Sequence, residues 1–511
     1  MPPLIATFAY VFGIVFLFWL ERDRQYKPSP ALWLSIISLL IRGSRPLTLW
    51  FVNHQKFEQG DVMNGSPLDA AVGLGLIVAG AIVLAGRQKQ IARKVKANLI
   101  AVVFISYCAL SISWSAYPDI AFKRWIRFLG DLITVFIVLT DRDPAKAMKW
   151  VLTRVAFILI PVSILLIKYY PGLARYYDEW TGMEFVTGVS TDKNMLGMMC
   201  LVYGSVVLFS FLELWRQQRG RVRNRRLAAN AVVLAMLFWL FGDARSMTSL
   251  ACFYFASFLL VVTGFFKIAR KREAIHLLVV GILGATASIL FLHIGEAAAL
   301  EKLGRNPTLT GRTEIWSGLI RFSGNPLFGT GYESFWLGER MKKIWASGSL
   351  FEGINEAHNG YLETYLNLGW IGVALFLGFI VTGYRNVMIT LQRDFDTGRL
   401  KLAFFVVAIA YNFTEAGFRA GSSVLFAFLF AALDVPPVQL WKRSPLTKSD
   451  RARNVELESV ARSRSPSFQF GASSIVPWEI APVSNRWPPS ERNGSETVSK
   501  GRGRSQEENA R

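Results

Sequence analysis

The stretch "VLTRVAFILIPVSILLI", residues 151–167, holds a single charged side chain in an otherwise apolar run. A helix of about 20 apolar residues crosses the roughly 30 Å hydrocarbon layer of a membrane. Backbone polar groups find no water in that layer, so they must bond within the segment, which favours helix. Similar runs recur, for example "LIATFAYVFGIVFLFWL" (4–20) and "WIGVALFLGFIV" (370–381). The sequence therefore predicts an all-α, polytopic membrane protein.

The composition supports this prediction. The chain has 511 residues, of which 52% are hydrophobic and 18% charged, and its mean hydropathy is +0.32. A net charge of +21 would suggest nucleic acid as the partner of a soluble protein, but here the positions of the charges matter more, and we expect no nucleic-acid partner. The cysteines lie far apart in apolar runs, which predicts small core residues without disulfides or a metal site. They are Cys108, Cys200 and Cys252.

Thirteen apolar segments can be counted, with an error of one, so we expect about 12–13 spans. The first segment lacks a basic leader and a cleavage motif, so it is interpreted as a retained span rather than a signal peptide. The segments are 3–20, 31–51, 68–85, 98–113, 128–140, 149–168, 193–215, 227–242, 249–266, 274–294, 366–384, 400–414 and 421–437.

Lys and Arg in the short connecting loops predict the orientation. Alternate loops carry 23 of these residues on one side and 7 on the other. Basic loops face the cytoplasm, so "RQQRGRVRNRR" (216–226) is cytoplasmic and the polar interval 295–365 is a long periplasmic loop. Residues 1–437 then form the membrane domain. The tail 438–511 is rich in Ser, Arg, Pro and Glu, which predicts a disordered cytoplasmic segment.

The loop 295–365 contains "GRTEIWSGLIRFSGNPLFGTGYESF" (311–335). Apolar residues at helical spacing, Ile315, Trp316 and Leu319, predict a helix beginning at residue 310 or 311 and lying along the membrane surface. Asn-Pro at 325–326 and the following glycines predict a sharp bend. The pattern "FGTGY" is weak evidence for a phosphate cradle, and we interpret it as a tight turn.

Arg312 stands at the head of that predicted helix. A solvated loop arginine is one interpretation. The other is a phosphate ligand, because the planar guanidinium offers paired donors to two phosphate oxygens and stays charged in any environment.

His358 lies in "EAHNGYLETYLNLGW" (356–370), immediately before the apolar segment 366–384. Taken alone, a histidine at such an interface is more often structural than catalytic. Glu356 precedes it by two residues, and Asn359 followed by glycine suits the start of a helix. A histidine that titrates near neutral pH at the membrane surface is also a suitable general base.

Further charged residues stand at the ends of apolar segments. Arg245 shares a very short outer loop with Asp243; the two side chains pair with each other or a lipid head group, or they face a wet cavity. Lys193 and Asn194 lie at the outer end of the segment 193–215. Arg42 and Arg45, near or inside the second segment, need a partner or a ligand. The remaining substrate-binding candidates are Glu356 and Asn359.

Cations and a proton acceptor at an outer membrane surface suit a lipid-linked diphosphate substrate. We find no acidic cluster of metal-ligand spacing in the outer loops, and no HExxH, paired DxD or GxSxG motif.

The chain resembles the O-antigen ligase and polysaccharide polymerase superfamily, in particular its exopolysaccharide-production branch in Gram-negative bacteria. The segments that carry the resemblance are "GRTEIW", "NPLFGTGYESF", "EAHNGYLETYLNLGWIG", "DKN" (192–194) and "ARS" (244–246). The resemblance covers roughly residues 30–435. It implies an inverting membrane glycosyltransferase of the GT-C type that uses neither metal nor cofactor. Arg245 and Arg312 would hold the diphosphate of the donor and His358 would deprotonate or orient the acceptor hydroxyl.

The same resemblance implies a glycan on undecaprenyl diphosphate as donor, presented at the periplasmic face of the inner membrane. The acceptor is a second glycan in a polymerase and the lipid A core in a ligase; we favour exopolysaccharide polymerisation. Implied partners are membrane lipids and flippase, chain-length or export proteins.

Two alternatives belong to other classes. A transporter or flippase of lipid-linked sugars should show internal repeats and broken helices with charges at mid-membrane, and the sequence has no clear repeat. A receptor that senses a ligand through the periplasmic loop should carry a signalling domain, which the tail lacks. The chain departs from the family in having thirteen segments where twelve are usual, and in its long tail.

Overall fold

The computed structural model describes residues 1–23, 26–51, 66–177, 184–266, 271–292 and 310–433. The prediction of a polytopic helical membrane protein is confirmed. Seven of the described helices are long and apolar enough to cross a membrane, or eight when one bent pair is taken as a single span. The predicted tail 438–511 and the first part of the periplasmic loop, 295–309, lie outside the described residues.

The longer helices of the described chain follow one another with few strands between them. They are α1 (Pro3–Glu21), α2 (Leu32–Arg42), α3 (Pro67–Ala85), α4 (Gln88–Ala97), α5 (Leu99–Leu110), α6 (Pro118–Leu139), α7 (Pro144–Tyr169), α8 (Lys193–Arg216), α9 (Arg221–Ala244), α10 (Met247–Phe265), α11 (Arg272–Leu292), α12 (Thr310–Arg321), α13 (Gly338–Trp345), α14 (Gly360–Arg393), α15 (Phe395–Tyr411) and α16 (Ser423–Ala432). A two-stranded antiparallel hairpin, β1 (Arg175–Tyr177) and β2 (Glu184–Val186), precedes α8.

The helices differ in how deeply they are buried. In α7 and α8, 78% of the most apolar 18-residue stretch is buried, whereas in α1 and α3 only 11% of that stretch is buried. The stretch 151–167 is thus at the centre of the bundle, and α1 and α3 are at its edge with apolar faces exposed. All three cysteines are free and buried, which confirms their prediction as small core residues.

Polar contacts interrupt one predicted span and mark the start of another. The segment 31–51 is not one helix, because α2 ends at Gly43 and the Arg45 amide then bonds to the Val189 carbonyl at 2.8 Å. The segment 98–113 is α5, preceded by α4 at an angle of 92°. Asn98 stands at this bend and its amide donates to the carbonyls of Lys94 and Leu433.

The predicted helix near residue 311 is confirmed as α12, but its position differs from the prediction. Leu319 is fully buried in a small core with Phe335, Ile344 and Leu366. We expected this face to lie along the membrane surface. That expectation is wrong, because α13 and the chain before α14 fold back and cover Leu319.

The predicted tight turn docks against a break in α14. At Gly369 the backbone leaves the helical region, with φ of +63°. The amide of Trp370 then donates to the Pro326 carbonyl at 2.9 Å, and the amide of Ile371 to the Leu327 carbonyl at 3.2 Å. Backbone groups freed by the break are therefore satisfied by the turn.

The turn also donates hydrogen bonds to α14. The amides of Thr330 and Gly331 donate to the carbonyls of Leu366 and Asn367, at 3.2 and 2.9 Å. A Cβ at Gly329 would lie 2.5 Å from the backbone of Asn367. The two backbones approach each other closely, so the turn anchors the loop to α14.

Gly369→Ala should destabilise the protein by about 1–3 kcal/mol, since the residue has a positive φ and a Cβ would overlap the Leu327 carbonyl. The measurement is thermal unfolding of the purified protein in detergent. Gly281→Ala is the matched control, because its Cβ would meet no atom within 4 Å. Equal stability of the two variants would contradict the close contact.

Candidate active site

His358 is held at the start of α14. The side-chain oxygen of Asn359 accepts hydrogen bonds from the amides of Tyr361 and Leu362, both at 3.0 Å, so it caps the helix as its position predicts. His358 itself has a φ of +47°, in the left-handed region that non-glycine residues seldom adopt. Such strain persists only where the surroundings fix it, and it is concentrated at functional sites.

Two carboxylates surround one nitrogen of the His358 ring. Nδ1 lies 3.0 Å from Glu356 Oε1 and 3.1 Å from Glu415 Oε2. Glu415 belongs to the short connection between α15 and α16. Among the described residues, Nε2 has no hydrogen-bond partner, and the side chain is 33% exposed. The ring is therefore fixed on one side and open on the other.

Each carboxylate also binds an arginine. Arg312 lies 3.2 Å from Glu415 and donates to the Thr414 carbonyl, while Arg419 donates to Glu356 at 2.8 Å. The Glu415 side chain is only 7% exposed. A buried carboxylate is costly unless it is paired and hydrogen-bonded, so the two cations around Glu415 are needed to hold it there.

Helix α12 is tied to this site at a second point. The indole Nε1 of Trp316 donates to the Ala357 carbonyl at 2.8 Å, one residue before His358. Arg312 and Trp316 lie one turn apart on α12. The structure thus brings Arg312, Glu356 and His358 together, as their candidacy requires.

The carboxylates change the protonation of His358. Burial lowers the pKa of the imidazole, but the hydrogen bonds and charges of Glu356 and Glu415 outweigh it and raise that pKa to about 9. Burial raises the pKa of Glu356, but His358 and Arg419 bring it below its usual value. Our expectation that His358 titrates near neutral pH is wrong for this site, and the ring is a cation at pH 7.

The expectation that no acidic cluster of metal-ligand spacing lies on this face is also wrong. Glu356, His358 and Glu415 place their ligand atoms within 4.8 Å of one another. The set could hold a metal ion by this spacing. Both carboxylates, however, already bind arginines, and the three cations of the group exceed its two anions, which weakens its attraction for a further cation.

Arg245 is exposed and lies in the connection between α9 and α10. It ends α9 with a φ of +49°, and no described residue forms a hydrogen bond or ion pair with its guanidinium. Three residues later, Thr248 Oγ1 is 3.4 Å from Thr414 Oγ1, next to Glu415. The predicted alternative, a pair between Asp243 and Arg245, is not seen in the described part of the chain.

Lys193 and Asn194 open α8 at the border of the site. Lys193 Nζ lies 3.7 Å from the centre of the Phe185 ring. Asp192 caps the helix by accepting from the Met195 amide at 2.8 Å. Desolvation and the nearby charge of Glu356 raise the pKa of Asp192, so this helix start is electrostatically coupled to the group around His358.

Arg42 and Arg45 have separate surroundings. Arg45 is 2% exposed, and its Nη2 donates to the carbonyls of Gly188 and Ser190 at 2.7 and 3.2 Å, so it holds the turn before α8. These contacts explain Arg45 without a substrate. Arg42 instead forms an ion pair with Asp131 at 3.2 Å.

Sequence reasoning missed Glu415 and Arg419. Both lie in "YNFTEAGFRAGSS" (411–423), a short polar stretch between two apolar segments. Two opposite charges in so short a connection were the available signal, since charges at the edge of the membrane are costly unless they have partners.

Comparison with known proteins agrees with the sequence resemblance. Residues 196–377 match the family model described as O-antigen ligase. Over 293 residues the chain is 24% identical to the exopolysaccharide production protein ExoQ of Rhizobium meliloti (strain 1021). The aligned region covers 55% of this chain and 63% of that protein. The match thus spans less than two thirds of this relative. Both findings support the resemblance of this chain to the O-antigen ligase and polysaccharide polymerase superfamily.

The pKa of His358 can be measured by NMR of the histidine-labelled protein, with His358→Gln identifying its signal among four histidines. We expect a value of about 9, and a fall toward the ordinary 6.5 in Glu415→Gln. Since the folded pKa is the higher one, the stabilisation is complete below pH 6.5 and disappears as pH rises through about 9. Glu339→Gln, at an exposed pair with Lys342, should leave the titration unchanged. An unshifted titration in Glu415→Gln would contradict the contact.

Proposed function

We propose that this chain is an inverting membrane glycosyltransferase that takes glycan from undecaprenyl diphosphate at the periplasmic face of the inner membrane, in exopolysaccharide polymerisation. The group formed by His358, Glu356, Glu415 and Arg312 carries the proposal. Three of its members, Arg312, Glu356 and His358, lie within the segment 196–377 that matches the O-antigen ligase family. The relative named for exopolysaccharide production supports the choice of product.

In the proposed reaction, an acceptor hydroxyl attacks the anomeric carbon of the donor glycan. A new C–O bond forms as the bond to the diphosphate oxygen breaks, and the diphosphate leaves with the electron pair. The hydroxyl proton passes to a base. Negative charge therefore grows on the diphosphate, and fixed cations placed there stabilise the transition state.

Arg312 and Arg245 would supply this stabilisation. Arg312 is oriented by Glu415 and the Thr414 carbonyl, and a guanidinium has five donors, so some of its donors can reach phosphate oxygens while these contacts persist. Arg245 is exposed and has no described partner, which suits a ligand-binding cation. Lys193 and Asn194, at the border of the site, would contact the substrate.

His358 would take the proton through Nε2. Nδ1 bonds to the carboxylates, which stabilise the imidazolium once the proton is transferred, as the aspartate does in a Ser-His-Asp triad. A pKa of about 9 leaves about 1% of the ring neutral at pH 7, but each neutral ring is a strong base. Metal-independent catalysis is part of the proposal, because the arginines supply the positive charge that a metal would provide.

The principal alternative is an O-antigen ligase that joins glycan to the lipid A core, which the name of the family model favours. A transporter would be expected to have broken helices, and α14 is broken at Gly369. The freed amides of Trp370 and Ile371 nevertheless bond to the turn before them, not to a bound solute. That contact argues against transport.

His358→Ala and Arg312→Ala should each lower polymer synthesis about 100-fold or more, because a general base and a phosphate-binding cation are lost. The measurement is the size profile of polysaccharide from a deletion strain complemented with each variant. Loss of high-mass exopolysaccharide with intact lipopolysaccharide indicates a polymerase, and free O-chains indicate a ligase.

The matched controls are Arg321→Ala, an exposed arginine at the other end of α12, and His276→Ala, whose ring contacts Tyr384. Both should support normal synthesis. Normal polymer from His358→Ala and Arg312→Ala, at normal protein levels in the membrane, would disprove the catalytic assignment.

The dependence of kcat/KM on pH tests the role of His358 separately. If the neutral ring is the base, the rate should rise with pH toward a limit near 9, since the protonated ring cannot accept a proton. Glu415→Gln should shift this limit to lower pH. A rate that is constant up to pH 9 and then falls would show that the cation is the active form and reject the base.

A further inference from the structure

We propose that Arg42, Arg124 and Arg127 form a second anion-binding subsite, which holds the diphosphate of a lipid-linked acceptor. This inference rests on the proposed function and extends it, since it makes the acceptor a second lipid-linked glycan. It also separates the two reactions left open above, because a polymerase that elongates lipid-linked chains must hold two diphosphates at once.

Arg42 is fixed by a buried carboxylate. Its Nε lies 3.2 Å from Oδ1 of Asp131, whose side chain is fully buried, and the Gly421 amide donates to Oδ2 of Asp131 at 2.7 Å. Arg42 Nη2 donates to the Arg127 carbonyl at 3.2 Å. Its side chain remains 20% exposed. An ion pair this deep in an apolar segment is a marker of function by default.

Arg124 and Arg127 lie about one turn apart on α6. Arg124 donates to the Glu333 carbonyl and lies 3.9 Å from the carboxylate of Glu333. Arg127 is exposed, and its guanidinium forms no hydrogen bond or ion pair with any described residue. With Arg42 and Arg124 each opposite one carboxylate, Arg127 leaves this group with an excess positive charge, available to an anion.

The loop 114–127 is unusually rich in Lys and Arg for a loop on the outer side. Of the seven Lys and Arg in the short outer loops, three lie in the loop 114–127, and each other short outer loop has one. A general excess of positive charge is expected on the cytoplasmic side only. The outer arginines therefore need a different explanation, and a ligand provides one.

A small cavity lies next to both groups, although neither His358 nor the three arginines are among its lining residues. Its volume is about 70 Å³, and its lining includes Gly360, two residues after His358, and Phe128, the neighbour of Arg127. Glu333 and Arg419 also line it, and these residues bind Arg124 and Glu356 respectively. Glu333 and Arg419 therefore place the proposed subsite beside the group around His358.

The ligand is identified by its chemistry. Arginine forks bind phosphate oxygens in pairs, and clustered arginines near the membrane surface suit a diphosphate more than a single carboxylate. The arginine group therefore fits the diphosphate of a lipid-linked acceptor.

Stoichiometric binding of farnesyl diphosphate tests the subsite. The full-length protein is placed in nanodiscs of zwitterionic lipid and titrated with the labelled probe. We expect two bound molecules, and one in either Arg127→Gln or Arg312→Gln. Lys123→Gln, an exposed neighbour on α6, should still bind two. One bound molecule in the wild type, with no change in Arg127→Gln, would overturn the subsite.

Arg42 is tested in the double variant Arg42→Gln/Asp131→Asn, because Arg42→Gln alone would leave a buried unpaired carboxylate. It should also bind one probe molecule. Phosphatidylglycerol and inorganic diphosphate serve as competitors. If phosphatidylglycerol displaces the probe from the Arg127 subsite as well as unlabelled farnesyl diphosphate does, the subsite binds lipid head groups and the inference is wrong.

Kinetics separate this inference from the proposed function. In Arg127→Gln the KM for the acceptor should rise about tenfold, with the KM for the donor and kcat unchanged, because one charged contact is lost. If transfer occurs but the acceptor KM does not change, the subsite is wrong and the proposed function stands. If the wild type binds two molecules of probe and transfers no glycan, the function fails and the subsite stands.

Discussion

The buried carboxylate of Glu415 is the constraint on which the site depends. It is 7% exposed and contacts both Arg312 and His358, so it connects α12, the start of α14 and the chain between α15 and α16. A carboxylate removed from water must be compensated by charge and hydrogen bonds. Arg312 and His358 are therefore held near each other by the same carboxylate that raises the pKa of His358. Position and chemistry in this site have one physical cause.

Much of the fold could be predicted because the membrane imposes simple rules. Long apolar runs become helices, as in α7 and α8, and the helical segment after residue 310 was visible from its periodicity. Polar interactions between distant segments could not be predicted. Arg45 ends a predicted span by binding the turn at 188–190, and Asn98 lies at a bend of 92°. Both depend on which carbonyls lie nearby in three dimensions.

The candidate site was predicted in part for a similar reason. His358 and Arg312 stand out in sequence because they flank predicted helices in a polar loop, and the structure places both beside Glu415. Glu415 itself is more than fifty residues from His358 along the chain. Its role depends on the packing of α15 and α16 against α14, which no local pattern specifies. The raised pKa of His358 follows from that packing and was missed with it.

The docking of the 325–331 turn onto the break in α14 has a consequence for how such proteins diverge. The contact consists of backbone-to-backbone hydrogen bonds, which do not depend on side-chain identity, apart from the small size required at Gly329 and Gly369. The exposed positions of the chain between this anchor and His358 can therefore change their side chains while α14 stays in register. If the proposed reaction holds, acceptor preference can evolve at these positions without moving His358.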